Sequence, residues 1–141
     1  MLFRSRAVGL SSDGKAPSVN VPQAAGQAVA IRRAYASSGI PLDSVQVVEA
    51  HATATPVGDA VEVRSLTEVF AARSPGTPRI QLGSVKALLG HTGWVSGVAS
   101  LIKLLAAIEA RTVPPQYNFT APDPGLSLDA SPFEISTRAK E

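Results

Sequence analysis

Short apolar runs alternate with longer helical stretches along this sequence, and this alternation restricts the chain to a small set of folds. Runs typical of strands cover residues 45–50 and 80–85, with weaker candidates at 2–8 and 133–136. Apolar residues recur at helical spacing over 23–38, 59–70 and 95–110. The order of these elements predicts an α/β architecture, in which helices cover a sheet.

Local signals predict where two of the helices begin. Asp59 followed by Glu62 resembles a capping box, so we expect the second helix to begin there. Residues 86–93 read as a loop that leads into the third helix. That helix is strongly apolar but carries Lys103 in its middle, and it is short for a membrane span. We therefore predict a buried core helix at 95–110, lined by Val98, Leu101, Ile102, Leu105 and Ile108.

Composition excludes several classes of function. With 141 residues and 45% hydrophobic side chains, the chain is long enough for one domain with its own core. The net charge is only +2 and the basic residues are scattered, which predicts no nucleic-acid partner. The sequence has no cysteine, so it forms no disulfide and offers no thiolate. Its first residues lack the apolar region of a signal peptide, and we expect a cytoplasmic location.

Both histidines of the sequence, His51 and His91, fall in loops that follow predicted strands. Ligands of α/β sheets bind at the carboxyl ends of strands, so the two imidazoles could converge on one ligand. There they could stabilise a developing oxyanion or transfer a proton, with Lys86, Asp59 and Glu62 close enough in sequence to orient them. The alternative, that each histidine only bonds to its own loop, stays open on spacing alone. No third ligand is suitably spaced, so no metal site is predicted.

Two segments resemble a known family. Residues 48–62 contain Glu-Ala-His-Ala-Thr-Ala-Thr followed by Gly58, Asp59 and Glu62, and they are similar to the Glu-Ala-His-Gly-Thr-Gly-Thr segment of β-ketoacyl synthases. Residues 83–92 resemble the Gly-Ser-x-Lys and Gly-His-Thr segment of the same enzymes. Shorter similarities lie at 11–14, 98–103, 113–118 and 123–125. The resemblance predicts that residues 1–136 are the C-terminal part of a ketosynthase domain and that 137–141 are a tail.

This resemblance implies a thiolase-like fold, of which the chain is the C-terminal half with a buried central helix. It also implies decarboxylative Claisen condensation of acyl and malonyl-type thioesters. By the resemblance, His51 and His91 stabilise the enolate and Lys86 supports His91. Glu62 joins a buried charge network around Lys86, and Asp59 has a supporting role.

The resemblance also implies partners. The substrates are carried on the phosphopantetheine of an acyl carrier protein, and this chain itself binds no cofactor. Thr53 and Thr55 would hydrogen-bond the pantetheine amides, although hydrogen bonds within their own turn are an equal alternative. The third helix would pack against an N-terminal ketosynthase half or a dimer partner. An exposed apolar patch should then appear on the chain alone.

The sequence departs from the family pattern in three ways. Ala52 and Ala54 replace glycines, so any positive φ there would strain the backbone. Ala87 and Leu88 replace a polar pair that is common after the lysine. The nucleophilic cysteine of the family belongs to the preceding half of the domain and is missing from this sequence. Two alternatives to condensation therefore stay open: a cysteine-less malonyl decarboxylase and a catalytically dead ketosynthase-like interaction module.

Overall fold

The fold, described by a computed structural model for residues 4–15, 18 and 21–141, is an α/β arrangement. The helices are α1 (Ala24–Ser38), α2 (Pro56–Phe70), α3 (Lys86–Leu89) and α4 (Ser96–Ala110). The strands are β1 (Val47–Glu49), β2 (Ile80–Gly83) and β3 (Phe133–Glu134). Short 3₁₀ turns lie at Leu42–Ser44, Gly93–Val95, Pro124–Leu126 and Leu128–Ala130. The predicted alternation of strands and helices is confirmed.

The three strands form a parallel sheet in the order β1-β2-β3. Val48 lies opposite Leu82, and Ile80 lies opposite Phe133. The pairing extends beyond the end of β1, where the Ala50 amide donates to the Gly83 carbonyl at 2.8 Å. Because parallel strands present their carboxyl ends at one edge, the loops after β1 and β2 leave the sheet side by side.

The core lies between this sheet and helices α1 and α2. Ile80, Phe70 and Phe133 are almost fully buried in it. The Phe70 ring meets Phe133 edge-on at 5.5 Å and Tyr35 of α1 edge-on at 5.6 Å. Burial raises the pKa of Tyr35. The core therefore holds α2 against the sheet, and α2 begins directly after the loop of His51.

Helix α4 has no buried residue within the described part of the chain. Ile102 is 61% exposed, and Trp94 just before the helix is fully exposed. The expected burial of this helix is thus absent here, whereas the exposed apolar patch that the resemblance predicted is present. By length and composition alone, Gly93–Ala110 could cross a membrane. However, Lys103 of α4 forms an ion pair with Glu49 of β1, which holds the helix beside the sheet.

Three local predictions were wrong. Residues 4–8 form no strand, while Leu2 and Phe3 lie outside the described residues. Asp59 does not cap α2; Thr55 does, accepting from the Gly58 amide at 3.2 Å, because Pro56 fits the first helical position and starts the helix earlier. The loop predicted at 86–93 contains the short helix α3, and a 3₁₀ turn begins at its last residue, Gly93.

The last residues contact the rest of the chain. Val113 and Lys140 exchange two backbone hydrogen bonds of 2.7 and 3.1 Å. Lys140 Nζ also donates to the Glu134 carboxylate at 2.7 Å, and this bond lowers the pKa of Glu134. The division of the chain into 1–136 and a tail stays a prediction.

Candidate active site

The rings of His51 and His91 lie together at the carboxyl edge of the sheet. Their centroids are 5.3 Å apart and their planes are nearly perpendicular, at 89°. His51 follows β1 directly, and His91 follows β2 and α3. The predicted convergence of the two rings is therefore found, and both side chains are exposed in this chain. Their catalytic role stays a prediction.

The His91 ring is oriented by its own loop. The Gly93 amide donates to His91 Nδ1 at 3.0 Å. A ring nitrogen that accepts a hydrogen bond carries no proton, so the neutral imidazole carries its proton on Nε2. Gly90 and Gly93 have φ values of 75° and 60°, which alanine or any larger residue rarely adopts. These two glycines allow the turn that presents His91 Nε2 as a donor.

Glu62 holds the loop that carries His51. One oxygen of its carboxylate accepts from the His51 amide at 2.6 Å, and the other accepts from the Ala52 amide at 2.8 Å. The expected network with Lys86 is absent: no described carboxylate lies within 4.0 Å of Lys86 Nζ. Glu62 therefore acts on the backbone of the loop, because α2 delivers its carboxylate to two otherwise unpaired amides.

The two threonines of this loop differ in their surroundings. The Thr55 hydroxyl accepts the cap bond from Gly58, which is the structural alternative considered for it. Thr53 Oγ1 lies 3.4 Å from Thr55 Oγ1, and Thr53 lines both cavities at the site. Of the pair, Thr53 is therefore the better placed to meet a ligand.

Ala52 and Ala54 both adopt positive φ, at 36° and 60°. In this region the Cβ atom crowds the carbonyl oxygen, at a cost of roughly 1–2 kcal/mol for a left-handed residue. The two bonds from Glu62 and the cap of α2 surround these residues and keep the loop in this shape. The two alanines that replace glycines therefore leave the predicted strain in the loop beside His51.

Replacing Ala54 by glycine should raise the free energy of unfolding by about 1 kcal/mol, since relief of the left-handed strain exceeds the entropy that glycine loses on folding. Urea denaturation followed by circular dichroism measures the change. Ala60→Gly in α2 is the matched control and should lower stability by up to about 1 kcal/mol. If both variants lowered the free energy of unfolding by the same amount, the proposed backbone strain at Ala54 would be contradicted.

Two cavities flank the loop of residues 51–55. One, of about 480 Å³, is lined by Lys86 and His91 and by an apolar wall that includes Leu82 and Leu126. The other, of about 610 Å³, is lined by His51 and Thr55. Both cavities are lined by the following residues: Thr53, Asp59 and Glu62. Lys86 and His91 thus line one cavity, whereas His51 lines the other.

Asp59 Oδ1 is buried and has no hydrogen-bond partner among the described residues.

A buried charged pair beside the site was missed by sequence reasoning. Lys103 Nζ donates to Glu49 Oε2 at 2.7 Å, and the Glu49 side chain is only 3% exposed. The sequence carried a signal, since each charge stands alone in an apolar stretch.

Gln116 was also missed by sequence reasoning. Its side-chain oxygen accepts from the Ser84 amide at 2.9 Å, and its side-chain nitrogen donates to the Ser84 carbonyl at 3.3 Å.

Comparison with solved structures defines the class of the fold. The ketosynthase from module 1 of the bacillaene synthase of Bacillus amyloliquefaciens is 33% identical, with a TM-score of 0.89 over 96% of this chain. The ketosynthase from module 6 of the Bacillus subtilis 168 synthase is also 33% identical, with a TM-score of 0.90. The chain covers 26% and 24% of those two structures. It has the fold of the C-terminal part of a thiolase-like ketosynthase domain.

The family model of the β-ketoacyl synthase C-terminal domain matches residues 2–120. The chain therefore belongs to the β-ketoacyl synthase family, as its C-terminal domain. Among curated relatives, highly reducing polyketide synthase 19 of Pyricularia oryzae is 39% identical over 96% of this chain. Highly reducing polyketide synthase 40 of Fusarium pseudograminearum is 40% identical over 94%. The chain spans 5% of the length of each of these relatives.

Proposed function

We propose that this chain supplies the two active-site histidines of a polyketide-type β-ketoacyl synthase, which condenses acyl and malonyl-type thioesters with loss of carbon dioxide. The observation that carries the proposal is the meeting of His51 and His91 at the strand ends, with His91 Nε2 left as a hydrogen-bond donor. Lys86 lines the same cavity as His91 and adds a positive charge to it.

The chemistry fits this arrangement. When a malonyl-type thioester loses carbon dioxide, the electron pair of the broken C–C bond moves into an enolate, and negative charge develops on the thioester oxygen. Imidazole N–H groups that are already in place stabilise such an oxygen without reorganisation. The enolate carbon then attacks the carbonyl of an acyl-cysteine thioester, a C–C bond forms, and the cysteine leaves as a thiolate.

The proposal includes partners, because the sequence has no cysteine. An N-terminal ketosynthase half supplies the nucleophile and covers the apolar face of α4. An acyl carrier protein presents its phosphopantetheine arm at the loop, where Thr53 donates to or accepts from a pantetheine amide. Asp59 and Glu62 support the loop from α2, and the complex works in the cytoplasm. No resident cofactor or metal takes part in the proposal.

Incubation of the chain alone with an acyl-loaded carrier protein should give no covalent acyl adduct, because no thiolate is present. Addition of a cysteine-bearing N-terminal half should give an adduct on that half and a condensed product with malonyl-loaded carrier. Intact-protein mass spectrometry and product quantification measure both. Acylation of the chain alone would reveal another nucleophile. Release of acetyl-carrier by the chain alone would favour the decarboxylase.

A further inference from the structure

The carboxylate of Glu49 joins three elements of the fold. Glu49 is the last residue of β1 and lies two residues before His51. Its Oε1 accepts from the Val85 amide at 2.5 Å, and Val85 directly precedes Lys86 and α3. Its Oε2 accepts from Lys103 Nζ of α4 at 2.7 Å. The same carboxylate thus touches the segment that leads to His91 and α4, and its residue lies in the strand that leads directly to His51.

This carboxylate is held more firmly than the other charged pairs of the described chain. The Glu49 side chain is 3% exposed and that of Lys103 is 15% exposed, whereas the pair of Glu134 with Lys140 is 37% and 40% exposed. A buried carboxylate that is held by an ion-pair partner and a backbone donor has little freedom to move. Glu49 can therefore fix the geometry of the groups that it contacts.

The backbone around Glu49 leaves room for this contact. A Cβ atom on Gly83, at the end of β2, would lie 3.3 Å from Lys103 Nζ and 3.0 Å from the side-chain oxygen of Gln116. Gln116 holds Ser84, the residue before Val85, through two bonds to its backbone. The segment 83–85 is thus held by Gln116 on one side and by Glu49 on the other. Rotation of this segment would carry α3 and His91 with it.

We infer that Glu49, held in place by Lys103, is a positioning residue that sets the location of the His91 loop relative to His51. This inference rests on the proposed function for its consequence in catalysis, but its geometric part does not. Glu49 touches neither imidazole; it acts through the Val85 amide and the end of β1. Misplacement of a catalytic group by about 1 Å can cost on the order of 10²-fold in rate.

The test uses Glu49→Gln, which keeps the size of the side chain and removes its charge. Nitrogen-15 NMR of the histidine-labelled full chain should show altered shifts of the His91 ring nitrogens and of the Val85 amide. In the complex with an N-terminal half, kcat for condensation should fall by about 10–10²-fold, with KM for the malonyl carrier and cysteine acylation near parental. Glu134→Gln, which removes an exposed pair of the same sheet, is the matched control and should change neither readout.

Lys103→Met and the double variant Glu49→Gln/Lys103→Met complete the set. Lys103→Met leaves a buried carboxylate without its partner and should destabilise the chain, whereas the double variant removes both charges and should fold. The double variant should still show the altered His91 signals and the reduced kcat. Parental His91 signals and parental kcat in a folded Glu49→Gln or double variant would overturn the inference. Unfolding of every variant would also overturn it, since Glu49 would then act on stability alone.

If the parental complex does not condense at all, the proposed function fails. The NMR measurement on the chain alone would still show whether Glu49 positions His91.

Discussion

His91→Ala should slow condensation by about 10²–10³-fold in a complex of this chain with a cysteine-bearing N-terminal half. The reason is the hydrogen bond from Gly93, which leaves His91 Nε2 as a donor for the enolate oxygen. Acylation of the cysteine should stay near the parental rate, because the enolate forms only after the acyl group has been transferred. Single-turnover product quantification, beside mass spectrometry of the acyl adduct, separates the two steps.

His91→Gln is the informative companion of this variant. Glutamine retains an N–H donor of similar reach, so it should recover part of the rate that alanine loses. An unchanged condensation rate in His91→Ala would show that the ring does not stabilise the enolate. That result would favour the alternative of a catalytically dead interaction module. Equal loss of acylation and condensation would instead point to a folding defect.

Ile102→Lys should weaken association with an N-terminal half by about 10²-fold or more. Ile102 is 61% exposed on the apolar face of α4, and an association that covers this face would bury an unpaired ammonium group. Isothermal titration calorimetry gives the dissociation constant directly. The fold of the chain itself should be unaffected, because no residue of α4 belongs to the described core.

Val29→Lys is the matched control for this second prediction. Val29 is an exposed apolar residue of α1, 37% exposed, and it lies outside the apolar face of α4. The control should bind with parental affinity. Equal weakening by both variants would indicate that added charge opposes association in general, and parental binding by Ile102→Lys would show that α4 is not the docking face.

The elements that a sequence can predict here are those with strong periodicity. Strands β1 and β2 were predicted from short apolar runs, α1 from its helical spacing, and α2 from the capping signal of Asp59 and Glu62. The start of α2 was misjudged because two capping signals compete: Thr55 before Pro56, and Asp59 before Glu62. Proline fits the first helical position with no loss of a hydrogen bond, so the earlier signal determines the start.

The site was predictable only in part. The proximity of His51 and His91 could be predicted, because both follow strands and parallel strands present their carboxyl ends at one edge of the sheet. The pair of Glu49 and Lys103 was not, because 54 residues separate the two charges and no local pattern records which distant residue a charge meets. For a similar reason, Glu62 was predicted to join a charge network around Lys86, whereas its carboxylate accepts from two backbone amides. A sequence does not show which backbone amides a carboxylate will contact.

The exposed apolar face of helix α4 affects how stable and how abundant the chain is in a cell. None of its 15 residues is fully buried within the described chain, and isolated helices of this length are marginal in water. Part of the free energy of docking is therefore used to order the helix. Unpartnered copies would expose an apolar segment that proteases and chaperones select, so the abundance of the chain should follow the supply of its partner.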